Sequence, residues 1–193
     1  RADRSPGEFY QLDMEMAFAT QEDVFSVIED VFPPIFAKYG TYNVASSAPF
    51  RRIAFNDAME TYGSDKPDTR YGMHLVDLTD IFANSKFKVF ATAANEEGSV
   101  VKAINAKGAG AWARAKIDKL AGVASTFGAK GLAWTKLNQD GSSSSSYEKF
   151  LKEEEAAGVR SALEAENGDL LFLVASDKPQ VVFDTCLLYT SDA

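Results

Sequence analysis

Residues 1–18 read RADRSPGEFYQLDMEMAF, in which a turn with two arginines leads into a segment of alternating side chains. From Phe9 onward apolar residues recur at every second position, and a period of two is typical of a β-strand covered on one side. The apolar positions are Tyr10, Leu12, Met14, Met16 and Phe18, and the polar positions between them are Gln11, Asp13 and Glu15. We therefore predict a strand with one covered face and one polar face.

The polar face of this strand carries one amide and two carboxylates. With a rise of about 3.3 Å per residue, Asp13 and Glu15 would lie roughly 6.6 Å apart. That separation allows both carboxylates to serve one bound ligand or cation. The alternative on pattern alone is a solvated face of an antiparallel strand, which needs no ligand.

A helix is predicted directly after the strand. Residues 20–23, Thr-Gln-Glu-Asp, have the form of a capping box, and apolar residues from Val24 to Phe36 follow at helical spacing. This apolar stripe predicts that the helix packs under a sheet. Pro33 and Pro34 predict a kink or break with at most a short continuation, because proline lacks the amide proton of a helical hydrogen bond.

The rest of the chain reads as short strands and helices. Residues 50–55 indicate a strand and 56–62 a short helix closed by Gly63, followed by a polar turn over 64–68. From about Met73 the pattern favours a separate α+β module. For it we predict strands over 87–90 and 99–105, paired around a turn at 95–98, further strands over 132–137 and 169–175, helices over 113–126, 147–157 and 159–165, and a flexible loop over the serine run 141–146.

The composition is that of an ordinary soluble chain. Its 193 residues are 46% hydrophobic and 25% charged, and no apolar run is long enough to span a bilayer, so we expect a cytoplasmic protein. A formal net charge of −8 argues against a chain that grips nucleic acid by itself, because phosphate neutralisation requires clustered lysine and arginine. Since the sequence lacks an initiator methionine, we expect it to start within a larger protein.

Few residues can carry nucleophilic or metal chemistry. His74 is the only histidine and Cys186 the only cysteine, so the sequence suggests no disulfide, no Cys-His or Ser-His-Asp arrangement and no metal site. We interpret His74 as a surface or boundary residue. Residues 128–131, GAKG, lack the lysine-serine ending of a phosphate loop, which favours glycines in a turn.

Three segments carry a specific resemblance to a known family. Residues 1–18 resemble the second signature motif of class II aminoacyl-tRNA synthetases, in the form found in bacterial-type aspartyl-tRNA synthetases. Residues 62–70, YGSDKPDTR, resemble the YGSDKPD segment of that family. Residues 128–134, GAKGLAW, are similar to the GAKGLA stretch of its inserted domain, which is shared with an amidotransferase subunit.

The resemblance implies an α+β fold in three parts. It places part of an antiparallel-sheet catalytic domain over 1–72, an inserted GAD-like module over 73–187 and an atypical tail over 188–193. It also implies that Gln11 and Asp13 face the aspartate substrate, with Asp13 towards the ammonium group and Glu15 continuing the same face. The loop that would approach ATP and the acceptor end of tRNA contains Arg4, Ser5 and Glu8, with Ser5 in place of the family's common glutamine.

The activity implied by the resemblance is that of an aspartate–tRNA ligase. Such an enzyme activates L-aspartate with ATP and Mg²⁺ and transfers the aspartyl group to the 3′ end of tRNA(Asp), with tRNA(Asn) as a second candidate. We expect the parent enzyme to be a homodimer without membrane association. We expect this part alone to be inactive, because the family's third motif and its ATP-binding arginine would lie outside it. The alternative is a non-catalytic interaction or tRNA-orienting module related to the amidotransferase-shared domain.

Overall fold

The computed structural model describes residues 7–40, 48–70 and 72–191, with side chains up to residue 186. The chain forms two compact units, Arg1–Arg52 and Ile53–Ala193. In the first unit, the described residues contain one helix, α1 (Gln21–Tyr39). The capping box predicted at its start is confirmed, since the amide of Thr20 donates to Asp23 Oδ2 at 2.8 Å and the amide of Asp23 donates back to Thr20 Oγ1 at 3.4 Å.

Helix α1 differs from its prediction in two respects. It is not broken at Pro33 and Pro34 but runs through both to Tyr39. Each proline removes one amide donor, yet its ring holds φ near the helical value of about −65°, so the flanking turns continue. The predicted packing under a sheet is also wrong, because no residue of α1 is buried.

The second unit is organised by an antiparallel sheet. Its strands are β1 (Val76–Asp77), β2 (Val100–Ala106), β3 (Ala133–Leu137), β4 (Ser143–Ser145) and β5 (Leu170–Ser176). Their order across the sheet is β1-β2-β5-β3-β4, and every neighbouring pair is antiparallel. The central pair is in register from Val100 opposite Ser176 to Ala106 opposite Leu170.

Helices cover both faces of this sheet. They are α2 (Phe55–Tyr62), α3 (Lys88–Asn95), α4 (Arg114–Thr126), α5 (Glu153–Ala162) and α6 (Pro179–Ser191), with 3₁₀ turns at Thr79–Phe82, Ala109–Ala111 and Glu148–Phe150. The α+β fold predicted for this part of the chain is thereby confirmed. Helix α2 ends as predicted at Gly63, whose φ of +72° is readily available to glycine and whose amide donates to the Met59 carbonyl oxygen at 2.8 Å.

Strand β5 is apolar along its length because both of its faces are buried. Leu170, Phe172 and Val174 belong to a core layer with residues of α4 and α6. Leu171 and Leu173 belong to the opposite layer, with residues of α3 and α5 and of the Thr79–Phe82 turn. A strand in this position replaces the alternating pattern with a continuous apolar run.

Two strand predictions between residues 50 and 90 are wrong. Residues 50–54 form no regular element, and Phe55 already belongs to α2. Residues 87–90 open helix α3 instead of a strand, because Phe90 and Ala93 point to the core at helical spacing and the alanine-rich sequence after Phe90 has a high helix propensity.

The serine run and the segment after it also take another form. Residues 143–145 pair with β3 as an edge strand, so the predicted flexible loop is wrong. A single helix, α5, replaces the two helices predicted over 147–157 and 159–165. Gly158 does not break α5; a Cβ atom at this position would lie at ordinary contact distance, 3.6 Å, from the Ile81 side chain, so the helix passes through a position that does not require glycine.

Candidate functional site

The N-terminal segment that carries the predicted site is exposed. Its apolar side chains are uncovered, with Tyr10 96%, Leu12 80% and Phe18 107% exposed. No strand is present among residues 7–20, so the predicted strand is wrong for the described part of this chain. The physical reason is that a strand requires a neighbour for its backbone hydrogen bonds, and the described residues provide none.

The polar positions of the same segment lie on its surface. Glu8, Gln11, Asp13 and Glu15 are all exposed, and within the described residues no hydrogen bond or ion pair reaches any of them. Their carboxylates and the amide therefore remain available to a ligand. Arg4 and Ser5 lie outside the described residues, so their predicted place beside ATP and tRNA is a prediction only.

The same unit contains a polar network that the sequence did not predict. Glu29 Oε1 accepts a hydrogen bond of 2.6 Å from the amide of Phe50 and another from Arg52 Nη1. Arg52 also lies 3.6 Å from a carboxylate oxygen of Glu22 and stacks 4.4 Å from the ring centroid of Phe25. The hydrogen bond from Arg52 lowers the pKa of Glu29, and the same bond raises the pKa of Arg52. The network fixes residues 50–52 against α1.

Residues 64–68, after the end of α2, form a polar turn without regular secondary structure, as predicted. Asp68 accepts hydrogen bonds from the amide of Arg70 at 3.0 Å and from Arg70 Nε at 2.8 Å, and these bonds lower its pKa to about 2. The ring of Tyr62, at the end of α2, meets the ring of His74 edge-on at 5.2 Å. His74 is exposed, which confirms its interpretation as a surface residue.

A buried lysine connects α2 to the sheet. Lys102 Nζ in β2 lies 2.5 Å from Glu60 Oε2 and 3.4 Å from Asp77 Oδ2, while its side chain is only 2% exposed. Burial would raise the pKa of Asp77, but hydrogen bonds from Thr79 and the charge of Lys102 outweigh burial and lower it. The sequence analysis missed this cluster, although a lysine inside the apolar strand VVKAINA was a possible signal.

The grooves of the second unit include two that are lined by both apolar and lysine side chains. The first has a volume of about 580 Å³ and is lined by α3, β3 and the end of β5, including Phe87, Phe90, Tyr147, Lys130 and Asp177. The second has a volume of about 480 Å³ and lies beside α4. We call it the lysine groove, after Lys107, Lys116 and Lys119, which line it together with Met73, Trp112 and Phe172.

The described residues offer no metal or thiol chemistry. Among them, no group of three or more His, Cys, Asp and Glu side chains could hold a metal ion. Cys186 is buried, and burial raises the pKa of its thiol to about 12, which excludes a reactive thiolate at neutral pH. No helix in this part of the chain is long and apolar enough to cross a membrane.

A comparison with known families shows to which domain family the second unit is related. Residues 90–186, half of the chain, match the GAD domain. The chain belongs to the GAD domain family. The matched GAD domain begins in α3, ends in α6 and contains strands β2 to β5.

Elements before residue 90 join the GAD domain in one compact unit. Strand β1 pairs with β2, and the amide of Leu75 donates to the carbonyl oxygen of Thr61 at 2.8 Å. Helix α2, which the sequence analysis grouped with residues 1–72, therefore packs in the same unit as the GAD domain. The domain boundaries 1–72 and 73–187, which the resemblance implies, remain a prediction.

Curated relatives are similar over nearly the whole chain. The aspartate–tRNA(Asp/Asn) ligase of Lachnoclostridium phytofermentans is 46% identical over 184 residues, which are 95% of this chain and 30% of that protein. The ligase of the same name from Thermoanaerobacter sp. is 46% identical over 185 residues, 96% of this chain and 30% of that protein. The one from Persephonella marina is 45% identical over 175 residues, with 91% and 28% covered. The chain thus spans about 30% of the length of these relatives.

Proposed function

We propose that this chain is a segment of an aspartate–tRNA ligase. The whole enzyme would activate L-aspartate with ATP and Mg²⁺ to aspartyl-adenylate and transfer the aspartyl group to the 3′ end of tRNA. Because the relatives are named for both tRNA(Asp) and tRNA(Asn), the proposal includes both acceptors. A homodimeric enzyme in the cytoplasm is part of the same proposal.

The observation that supports the proposal is that the similarity to the ligases extends over nearly the whole chain. The alignment with the Lachnoclostridium ligase omits only nine residues of this chain, whereas the GAD domain match begins at residue 90. Most of residues 1–89 are therefore aligned with a ligase, which a GAD domain alone does not account for. This favours the ligase over the alternative of a free-standing interaction module.

Within this proposal, the N-terminal segment contributes to the aspartate site. Gln11 and Asp13 would bind the aspartate substrate, and the carboxylate of Asp13 would contact the ammonium group of that substrate. Glu15 would continue the same face of the strand. The exposure of all three side chains supports the assignment, because an unpaired carboxylate is free to form a charge-assisted hydrogen bond. The uncovered apolar row beside them also supports it, since the sheet of a complete catalytic domain would provide both the missing strand neighbours and the cover.

We assign the binding of ATP and of the acceptor end of tRNA to the loop before Gln11. Arg4, Ser5 and Glu8 would approach ATP and the acceptor end of tRNA, where a guanidinium can pair with phosphate oxygens. Mg²⁺ would enter with ATP, because this ion is usually bound by substrate phosphates together with one or two carboxylates. The contribution of the present segment is positioning and charge.

A chimeric enzyme tests the proposal. The aligned segment of the Thermoanaerobacter ligase is replaced by this chain, and aspartate-dependent exchange of pyrophosphate into ATP is measured. We expect exchange with aspartate and charging of tRNA(Asp), and no exchange above a blank for the chain by itself. A chimera that melts cooperatively but lacks exchange, or exchanges with a different amino acid, would refute the proposal.

A further inference from the structure

The charge of this acidic protein is unevenly distributed. Residues 107–136 contain six lysine or arginine residues and one acidic residue, Asp118. The remainder of the chain contains 14 basic and 27 acidic residues. A block of one sign within a chain of the opposite sign suggests a local surface for a ligand of complementary charge.

The fold gathers half of these basic residues around the lysine groove. Lys107 follows the end of β2, where its Nζ donates to the Glu164 carbonyl oxygen at 3.3 Å. Lys116 and Lys119 lie one turn apart on α4, and all three lysines line the same groove. The apolar part of the lining comes mainly from Met73, Trp112, Leu120 and Phe172. No carboxylate lines the groove.

The acidic side chains nearby are occupied by other partners. Asp118 accepts a hydrogen bond of 2.8 Å from Arg114 Nε. Asp169 is buried beneath the turn after β2, where it accepts from the amides of Gly108 at 2.9 Å and Glu166 at 3.0 Å. The charge of Asp169 interacts with Lys107, so part of the positive charge at that lysine is offset. Lys116 and Lys119 carry the larger uncompensated charge of the groove.

The backbone of Trp112 is held by two hydrogen bonds, and its indole ring lies beside Lys116 in this groove. The amide of Trp112 donates to the Ala109 carbonyl oxygen at 3.0 Å, and its own carbonyl oxygen accepts from Lys136 Nζ at 3.3 Å. Lys116 Nζ lies 3.2 Å from the centroid of the indole ring, so cation and aromatic surface form one patch. Sites for single-stranded nucleic acid combine these features, a positive groove along the backbone and an aromatic ring for a base.

We propose that the lysine groove binds a single-stranded segment of RNA, with phosphates on Lys107, Lys116 and Lys119 and a base against Trp112. Naming RNA rests on the proposed function, in which tRNA is the anionic substrate. The indole of Trp112 in the groove lining favours RNA over an acidic peptide, because a base can stack on an aromatic ring. The net charge of −8 makes this a weak, salt-dependent contact that assists a stronger RNA-binding surface elsewhere.

Binding of a short, fluorescein-labelled single-stranded RNA to the purified chain tests the proposal by fluorescence anisotropy. Three phosphate contacts predict a slope of about −2 in log K against log salt, which is about a 20-fold loss between 50 and 200 mM salt. The variant K107Q/K116Q/K119Q should lose most of this slope and bind at least about tenfold more weakly at the lower salt. Because all three side chains are on the surface, circular dichroism should show an unchanged fold.

A charge-matched variant provides the control. K86Q/K88Q/K149Q removes the same charge from exposed positions on the opposite face of the sheet and should change binding less than about threefold. RNA should also quench the fluorescence of Trp112, and the quenching should disappear in W112F, which retains Trp134. If the lysine triple variant fails to fold, each single variant should reduce the slope by about 0.7.

Three results would overturn the proposal. The first is that the unmodified chain does not bind RNA. The second is that the two triple variants weaken RNA binding equally. The third is that polyglutamate quenches Trp112 as strongly as RNA does, which would identify an acidic peptide as the ligand of the groove. The assay contains neither aspartate nor ATP, and the exchange assay contains no RNA. A failure of this proposal is therefore distinguishable from a failure of the proposed ligase function.

Discussion

Lys102 Nζ lies 2.5 Å from Glu60 Oε2, so an ion pair links β2 to α2, the helix that ends at Tyr62. The lysine is buried, whereas the Glu60 side chain is 59% exposed. The two ends of this ion pair therefore differ in what their removal would cost. A buried ammonium that loses its carboxylate keeps its desolvation penalty, but an exposed carboxylate that loses its lysine returns to water.

Substitutions in this pair should show that asymmetry. Glu60→Gln should lower the free energy of unfolding by about 1 kcal/mol, a value kept small because Glu60 is exposed and Asp77 remains 3.4 Å away. Lys102→Met fills the same space with an apolar side chain, so it should lower the free energy of unfolding by less than Glu60→Gln does. In the double variant, Glu60→Gln should cause no further loss beyond that of Lys102→Met. Urea denaturation of the four proteins measures this. Additive losses in the double variant would contradict the asymmetry.

Two glycines should respond to alanine in opposite directions. A Cβ atom at Gly110 would lie 2.5 Å from the Gly168 carbonyl oxygen and 2.7 Å from that of Leu137, so Gly110→Ala should destabilise the protein by about 2–3 kcal/mol. Gly122 lies within α4 with open space around a built Cβ, so Gly122→Ala should stabilise by about 0.5–1 kcal/mol. Thermal melts of both variants should therefore shift in opposite directions. A stabilising Gly110→Ala would mean that the two carbonyls do not approach so closely.

One serine of the run 142–146 should matter more than its neighbour. Ser145 Oγ accepts from Thr135 Oγ1 at 2.9 Å and from the amide of Glu148 at 3.0 Å, and it donates to the Trp134 carbonyl oxygen at 3.1 Å. Ser145→Ala should therefore cost about 1–2 kcal/mol. Ser144 is exposed, so Ser144→Ala should change stability by less than about 0.5 kcal/mol. Equal midpoints in urea for the two variants would contradict this role.

The same serines show why part of the sheet could not be predicted. Five identical small polar residues have no apolar alternation, and the pairing of 143–145 depends on a position beside β3 that only the tertiary fold provides. Strand β5 was predictable because a short run of leucine, phenylalanine and valine is typical of a strand buried on both faces. The cap of α1 was predictable because Thr20 and Asp23 are local in sequence.

The candidate site is a different case. The alternation between Phe9 and Phe18 is present in the sequence, but pairing requires strands that the described part of this chain does not contain. Periodicity therefore predicts which side chains would share a face of a strand, but it does not determine whether neighbouring strands are present to pair with it. Neither the Lys102 cluster nor the lysine groove was predicted, since each joins residues that are distant in sequence or separated by apolar positions.

Stability should fall in acid because of Asp169. Burial opposes ionisation of this carboxyl, but hydrogen bonds from the amides of Glu166 and Gly108 and from Asn105 outweigh burial and lower its pKa below the ordinary 3.8. A lowered pKa in the folded state stabilises the fold above pH 3.8, and this stability is lost as the pH falls through the folded value.

Urea midpoints between pH 7 and pH 2.5 test this dependence. Asp169→Asn should cost about 1–3 kcal/mol at pH 7 and should show a weaker fall in stability below pH 4. Asp30→Asn, on the exposed surface of α1, is the matched control and should follow the unmodified protein. Parallel pH profiles for Asp169→Asn and the unmodified chain would assign the acid sensitivity to other groups.

The aspartate site is tested by Asp13→Asn in the chimeric ligase. If Asp13 balances the ammonium group of bound aspartate, the substitution keeps the shape of the side chain but replaces a charge-assisted contact with a neutral one. The expected loss of about 1.5–3 kcal/mol corresponds to a decrease of roughly ten- to 150-fold in kcat/KM for aspartate. The KM for ATP should change much less, and Asp30→Asn should leave both constants unchanged. Since Asp13 is exposed and unpaired in the described part of this chain, its replacement should not lower the melting temperature. Unchanged aspartate kinetics together with a lower melting temperature would instead make Asp13 a structural residue of the completed sheet.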